Sequence, residues 1–345
     1  MQTATQHIKG ATALLQLRGK EQIRTPIGYR VFLYLRQQAV SVRMSLLVFS
    51  VLICSKITNC ILRKTAVPSI FSEWNRELDF EDPDRTASTA LAELSIRYCN
   101  LRASMASFDD FSEPERIISA AIELNSDFEL WAKTSPLQFV YETVTLKERH
   151  EEVFSDHYLV YTSVWIASLW NNYRCLRVLL NELIMHQLRY IVGTDVGAYT
   201  EWQNPLSIET QLSISKSNLL QLCQDICASV PYFLNFNQNI EAASRDIPKA
   251  VNGNYLMWPL YCAGCTEVVS DIMRMWVARR LQWIADNLGI RQAAVLALTL
   301  SRQQDLLEWK GEIEEVSDGT SEMAALKISR SKDYPEWTSI PKKYF

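Results

Sequence analysis

The stretch from Asp156 to Ile191 contains no glycine and no proline, so no residue in it forces a helix to end. Apolar residues recur along it at intervals of three and four, as they do on one face of a helix. The members of this apolar stripe are Tyr158, Tyr161, Trp165, Leu169, Leu176, Leu180, Leu183 and Leu188. Further apolar residues lie off the stripe, which indicates packing on more than one side. The stretch therefore predicts a long central helix, or two helices end to end.

Four residues of the stripe are predicted to lie in the core: Trp165, Leu169, Leu176 and Leu180. Two asparagines, Asn171 and Asn172, interrupt the apolar character of the same stretch. Asparagine is a poor helix former, and a buried amide needs hydrogen-bond partners. Arg174 and Arg177 follow closely in the sequence, so they could supply those partners if the amides are buried.

The rest of the chain is also helical in pattern. Apolar residues keep helical spacing from Ala87 to Phe108 and from Ile117 to Trp131, and Pro114 suits the first turn of the second of these helices. No stretch shows the sustained alternation of polar and apolar residues that is typical of a strand. We therefore predict an all-α fold, an array of paired antiparallel helices around the long central helix.

Glycine, proline and polar residues suggest where the later helices begin and end. Gly193 to Ser213 is predicted to be a surface loop, and Pro231 to end the helix after it. Asn252-Gly253 is predicted to be a turn. Trp258-Pro259 is predicted to open a helix that includes Val268.

Helical patterns continue until the sequence turns polar beyond Glu315. We assign residues 1–315 to one all-helical domain and residues 316–345 to a polar C-terminal tail. The apolar run from Ser45 to Cys54 is about half the length of ~20 residues that a membrane-spanning helix needs. No membrane association is expected.

The overall composition argues against a self-sufficient nucleic-acid binder and against a secreted protein. The net charge is −4, whereas a self-sufficient nucleic-acid binder usually has a strongly basic face. The 8 cysteines are spread along the chain, and no secretory signal follows Met1. We expect reduced, mostly buried thiols in an intracellular protein.

One acidic segment, Asp109-Asp110-Phe111-Ser112-Glu113, matches the motif with which helical terpenoid cyclases hold Mg²⁺ against a diphosphate. A cyclase carries these acids on a helix that faces a cavity, whereas Pro114 follows here at once. The second metal motif of those enzymes is also missing. We interpret the segment as a solvated linker and keep a magnesium-dependent cyclase as a minor alternative.

The remaining candidate sites have weak signals. Cys262 and Cys265 form a C-x-x-C pair, and Cys223 and Cys227 are one helical turn apart, so four thiolates could in principle hold zinc. The sequence around these four cysteines is apolar and has a helical pattern, which favours buried thiols over a zinc site. The histidines have no metal-binding spacing, and Glu182 with His186 is an ordinary helical pair; the other two considered are His150 and His157. We predict no catalytic residue, no cofactor, no metal site and no enzyme activity.

Three segments carry a family resemblance. They are Val164-Trp165-Ile166-Ala167 continuing to Trp170-Asn171-Asn172-Tyr173-Arg174, Ile226-Cys227-Ala228-Ser229-Val230-Pro231-Tyr232, and Trp258-Pro259-Leu260-Tyr261. Together with the text from His7 to Gly19, they resemble the C-terminal regulatory region of fungal zinc-cluster transcription factors, the fungal-specific transcription factor domain. The resemblance extends over nearly the whole chain.

The resemblance implies a nuclear regulator whose helical region governs activity and contacts with partner proteins. Many such proteins control catabolic or secondary-metabolite gene sets. A homodimer and a small-molecule effector bound among the helices are compatible with this interpretation. A helical scaffold unconnected to transcription is the alternative from another class.

The sequence departs from that family at the DNA-reading module. The zinc cluster needs six cysteines, beginning C-x2-C-x6-C, whereas the first cysteine here is Cys54 and no basic run accompanies it. We expect that this chain alone neither binds a zinc cluster nor reads DNA. Two explanations stay open: a gene model that starts too late, or a relative without the module.

The resemblance also breaks off after Ala39 and resumes at Ile57. Residues 40–56 between them are almost uncharged, unlike their surroundings. Val40-Ser41 is what a common donor splice sequence, GTAAGT, encodes, and Lys56 can be encoded by AAG, which ends in the AG of an acceptor. We interpret this segment as a retained intron, with a genuine buried helix as the alternative.

Overall fold

The computed structural model describes residues 13–25, 27–32, 83–105, 114–193, 205–235 and 250–302, with isolated positions 10, 69, 72 and 73. The long helices in these ranges are α1 (Pro83–Ser104), α2 (Pro114–Thr134), α3 (Val164–Gly193), α4 (Pro205–Phe233), α5 (Ala250–Cys265) and α6 (Asp271–Leu288). Residues 13–18, 27–32 and 291–302 are also helical. A small antiparallel sheet joins β1 (Glu142–Thr145) to β2 (His157–Val160). The predicted all-α class is confirmed.

Neighbouring helices lie antiparallel, which two contacts at different levels establish for α1 and α2 and two others for α3 and α4. Between α1 and α2, Trp131 Nε1 near the end of α2 donates 2.8 Å to the Ala87 carbonyl near the start of α1. Further along the same pair of helices, Arg97 Nη1 of α1 lies 2.6 Å from Asp127 Oδ2 of α2. Between α4 and α5, Asn252 Nδ2 at the start of α5 donates 3.1 Å to the Phe233 carbonyl at the end of α4.

Helix α3 lies at the centre of this array. It packs against α1, α2, α4 and α5, which matches the apolar residues that the sequence places on more than one of its faces. Leu176 and Leu180 are buried, at 1% and 0% exposure, as predicted. Leu169 is half-buried and packs against the core.

The start of α3 differs from the prediction. Residues 157–160 form β2, and the helix begins only at Val164, where the Ser163 hydroxyl accepts a hydrogen bond of 3.2 Å from the Ile166 amide. Trp165 is therefore a first-turn residue and is 48% exposed, so its predicted core position is wrong. Its ring keeps an edge contact with Phe139 but lies outside the packed part of the helix.

The boundaries of α4 also differ from the prediction. The helix begins at Pro205, inside the segment predicted to be a loop, and it continues past Pro231 to Phe233. Proline lacks the N–H of one helical hydrogen bond, but Val230 and Phe233 beside it are fully buried. Packing of this last turn thus outweighs the lost bond.

Asn252-Gly253 lies in the first turn of α5 rather than in a loop. A side chain at Gly253 would place its Cβ 2.5 Å from Leu288 Cδ1, so glycine allows α5 and α6 to approach closely here. Pro259 lies inside α5, and Val268 lies in the connection between the two helices rather than in a helix. The Ser270 hydroxyl caps α6 by accepting from the Met273 amide.

Several predictions concern parts of the chain outside the described residues. They are the retained-intron interpretation of residues 40–56, the acidic segment 109–113 and the polar tail 316–345. In the ranges that the structure does describe, no helix is both long and apolar enough to span a membrane. Buried apolar residues from all six long helices join in one hydrophobic cluster.

Candidate functional site

The cysteines considered as zinc ligands lie in apolar surroundings. Cys223 Sγ is 3.9 Å from the Thr266 hydroxyl, and the Cys262 thiol lies beside Cys175 of α3. Burial raises the pKa of Cys223 to about 12, and it also raises the pKa of Cys262, so the thiolate that a metal needs is disfavoured. In the described part of the chain, no three histidine, cysteine, aspartate or glutamate side chains are grouped to hold a metal ion.

The histidines and their acidic neighbours are dispersed. His157 Nδ1 lies 2.9 Å from Asp156 Oδ1 at the start of β2. On α3, partial burial and then the charge of Arg102 lower the pKa of His186. One turn earlier, Glu182 is half-buried, and burial raises its pKa to about 7. Glu182 and His186 both lie near Arg102 and Glu267, whereas the contact of His157 with Asp156 joins two neighbouring residues at β2.

The structure instead forms a cleft of about 200 Å³ between α3 and α4. Four α3 residues line it at helical spacing, which places them on one face: Trp170, Tyr173, Arg174 and Arg177. Four residues at the same spacing on the antiparallel α4 line the opposite side: Asn218, Gln221, Leu222 and Asp225. Ala132 of α2 and Tyr141, just before β1, complete the lining.

Arg174 is the most unusual residue of the cleft because its charged side chain is only 1% exposed. Its Nη1 donates to Tyr161 Oη at 2.7 Å and to Asn171 Oδ1 at 3.0 Å. Asn171 in turn donates 3.0 Å to the Ser229 hydroxyl of α4. The predicted pairing of a buried asparagine amide with Arg174 is therefore confirmed for Asn171. Asn172 is half-buried.

The rest of the Arg174 guanidinium is poorly partnered. Nη2 is buried and has no hydrogen-bond partner among the described residues. Nε has Asp225 Oδ2 at 3.9 Å, which is an ion pair but too long for a hydrogen bond. The edge formed by Nε and Nη2 thus keeps donors that no described side chain satisfies.

Aromatic rings surround the same guanidinium. Its central carbon lies 5.3 Å from the ring centre of Tyr141, 5.7 Å from that of Trp170 and 5.9 Å from that of Tyr161. Rings at these distances stabilise a cation through their negative faces. Burial raises the pKa of Tyr161 to about 12, so this tyrosine keeps its proton and accepts from Arg174 through its oxygen.

Arg177, one turn further along α3, is fully partnered by comparison. Nε donates to Asn125 Oδ1 at 3.0 Å, Nη1 to Tyr173 Oη at 2.9 Å and Nη2 to Glu129 Oε1 at 2.5 Å. Asn181 extends this network by donating 3.1 Å to the same Asn125 oxygen. These contacts tie α2 to α3 and neutralise the charge of Arg177.

The sequence did not indicate this cleft. Tyr141 and Tyr161 come from the segments around the hairpin, and Asp225 comes from α4, far along the chain from Arg174. The one sequence signal is a pair of arginines, Arg174 and Arg177, inside an otherwise apolar helix, where a charge needs a specific partner.

Comparison with known proteins gives one local similarity. A segment of 144 residues is 27% identical to a protein named transcription factor dbaG from Emericella nidulans. The match covers 40% of this chain and 31% of that relative, so it concerns less than a third of the relative's length. No family model matches the chain. No solved structure matches it either. The chain is therefore related, distantly and in part, to a fungal transcription factor.

Proposed function

We propose that this chain is the helical regulatory region of a nuclear transcriptional regulator and that it acts by contacting other proteins, not by catalysis. The local similarity to a protein named as a transcription factor carries the proposal. The all-helical fold agrees with it, because the family that the sequence resembles is expected to be helical. We also propose that the regulator controls a metabolic or secondary-metabolite gene set. The same region would self-associate and respond to a small-molecule effector.

Recognition of promoters is proposed to come from outside this helical array. The net charge of the chain is −4, which does not favour phosphate contacts. A partner protein, or a zinc-cluster module joined to this region, would read the DNA. The region itself would then set how strongly transcription responds.

Exposed apolar side chains near the start of α3 provide a surface on which protein contact can be tested. Trp165 packs edge-on against Phe139, and both Leu137 and Val140, which flank Phe139, are exposed. Leu137 is 88% exposed and Val140 57%. Apolar side chains grouped at the surface are more typical of contact sites than isolated ones.

A reporter assay tests the proposal. The chain is fused to a heterologous DNA-binding domain in a fungal host that carries the matching operator before a reporter gene. We expect the fusion to change reporter output severalfold relative to the DNA-binding domain alone, in either direction. Leu137→Ser with Trp165→Ser should reduce the change, whereas Ile272→Ser, an exposed apolar residue of a different helix, should not.

Equal reporter output from the fusion and from the DNA-binding domain alone, at equal protein level in the nucleus, would contradict the proposal. It would favour the helical scaffold unconnected to transcription. A reporter response that survives the double substitution would retain the regulatory function but remove the surface beside Phe139 from it.

A further inference from the structure

We propose that the cleft between α3 and α4 binds a small planar aromatic carboxylate, with the carboxylate on the Nε–Nη2 edge of Arg174 and the ring among the aromatic residues of the lining. The role of such a ligand as an effector rests on the proposed regulatory function. The binding itself does not, because it is argued from the cleft alone.

The first argument is the unsatisfied donor. A buried group that carries a charge is strongly destabilising unless its hydrogen bonds are made. Arg177 shows that this fold can satisfy a buried arginine at all three nitrogens. Arg174 is more deeply buried, yet only its Nη1 is hydrogen-bonded among the described residues. Because Nη2 is closed off from solvent in this structure, the side chains packed against it must move aside for an acceptor from outside the chain to complete its set.

The second argument is geometric. Nη1 uses both of its hydrogens on Tyr161 and Asn171, so the free donors are those of Nε and Nη2. These two nitrogens lie side by side on one edge of the planar guanidinium. A carboxylate matches such an edge with two parallel hydrogen bonds, which a hydroxyl or a single carbonyl oxygen cannot form.

The third argument is size and lining. An engineered cavity of about 150 Å³ holds one benzene molecule, so a cleft of about 200 Å³ accommodates one ring with a carboxylate. Tyr141, Trp170 and Tyr173 contribute aromatic surface to the lining. Aromatic rings prefer edge and offset contacts with one another, which favours a planar aromatic ring over an aliphatic chain.

Asp225 is the residue that opposes an anionic ligand. Its carboxylate lines the same cleft, 3.9 Å from Arg174 Nε, and accepts a hydrogen bond of 2.8 Å from Gln221. The side chain is 24% exposed, so solvent weakens its effect. The positive charge of Arg177 is already matched by Glu129. Removal of the Asp225 charge should therefore strengthen ligand binding.

Calorimetric and NMR titrations of the full chain with benzoate test the proposal. Benzoate should bind at one site, whereas benzamide, which has the same ring without the charge, should bind at least tenfold more weakly. Cyclohexanecarboxylate, which keeps the charge without the aromatic ring, should also bind more weakly than benzoate. Asp225→Asn should tighten benzoate binding about threefold or more.

Arg174→Lys should weaken benzoate binding at least tenfold, because lysine lacks the flat edge with two donors. Arg189→Lys on the same helix is the matched control, because Arg189 is exposed, pairs with Glu267 and does not line the cleft. The comparison of benzoate with benzamide on the unsubstituted protein, and the Asp225→Asn variant, remain informative if the Arg174 variant does not fold.

Three results would overturn the assignment: no saturable benzoate binding at millimolar concentration, equal affinity for benzoate and benzamide, or benzoate binding unaffected by Asp225→Asn. None of these results would alter the outcome of the reporter assay. Conversely, a silent reporter with one benzoate bound would contradict the regulatory function and keep the site.

Discussion

Replacement of Leu176 by alanine is expected to cost the protein a large part of its stability. Leu176 is 1% exposed and lies on the helix that packs against α1, α2, α4 and α5. Removal of its outer carbons loses their burial and also leaves a cavity, and such changes cost about 2–5 kcal/mol. Because neighbours hold α3 on several sides, the cavity cannot close easily. We expect a loss of about 3–5 kcal/mol.

The matched control is Leu130→Ala on α2. The chemical change is identical, but Leu130 is 59% exposed, and leucine and alanine are both good helix formers. We expect this control to change stability by less than about 0.5 kcal/mol. Leu176→Val, which removes one methylene, should cost about 1 kcal/mol and stays measurable if the alanine variant unfolds.

Urea unfolding followed by circular dichroism at 222 nm measures all three variants. The transition midpoint should move while the slope of free energy against urea stays constant, because the surface exposed on unfolding is nearly unchanged. A Leu176→Ala variant as stable as the parent would refute the reasoning. So would an equal cost for Leu130→Ala, since burial would then not be the cause.

Two further changes have expected outcomes. The pKa of Glu182 is raised to about 7 by burial and by the charge of Glu267. Its contribution to folding stability is therefore complete below about pH 4.5 and is lost as the pH rises through 7. Glu182→Gln should raise the urea midpoint more at pH 8 than at pH 5, and equal gains at the two pH values would contradict this. Gly289 ends α6 with a φ of +70° and open space around it, so Gly289→Ala should cost about 1 kcal/mol from backbone strain alone, as a thermal melt would detect.

Helical spacing in the sequence was sufficient for the centre of the fold. Leu176 and Leu180 repeat at four residues within a stretch free of glycine and proline, and both are buried in α3. Pro114 was also placed correctly, as the first residue of α2. These features depend on local spacing and on the shape of single residues, which a sequence displays directly.

Features that depend on distant residues were not predictable in the same way. The segment from His157 to Val160 fits the periodicity of the following helix, but it pairs with β1, which only the fold brings alongside. Asn252-Gly253 has the composition of a turn, yet it lies in the first turn of α5, where the glycine leaves room for the Leu288 side chain of α6. The cleft around Arg174 combines residues from four separate segments, so no local sequence pattern predicts it.

Both proposals depend on α3 as the buried centre of the helical array. Hydrogen exchange measured by mass spectrometry on the full chain tests this directly, because amides of a buried helix exchange only when large parts of the protein unfold. We expect peptides that cover Asn171 to Leu188 to exchange most slowly, and the surface segment 147–151 to exchange much faster. Exchange of the α3 peptides as fast as that of residues 147–151 would contradict the account.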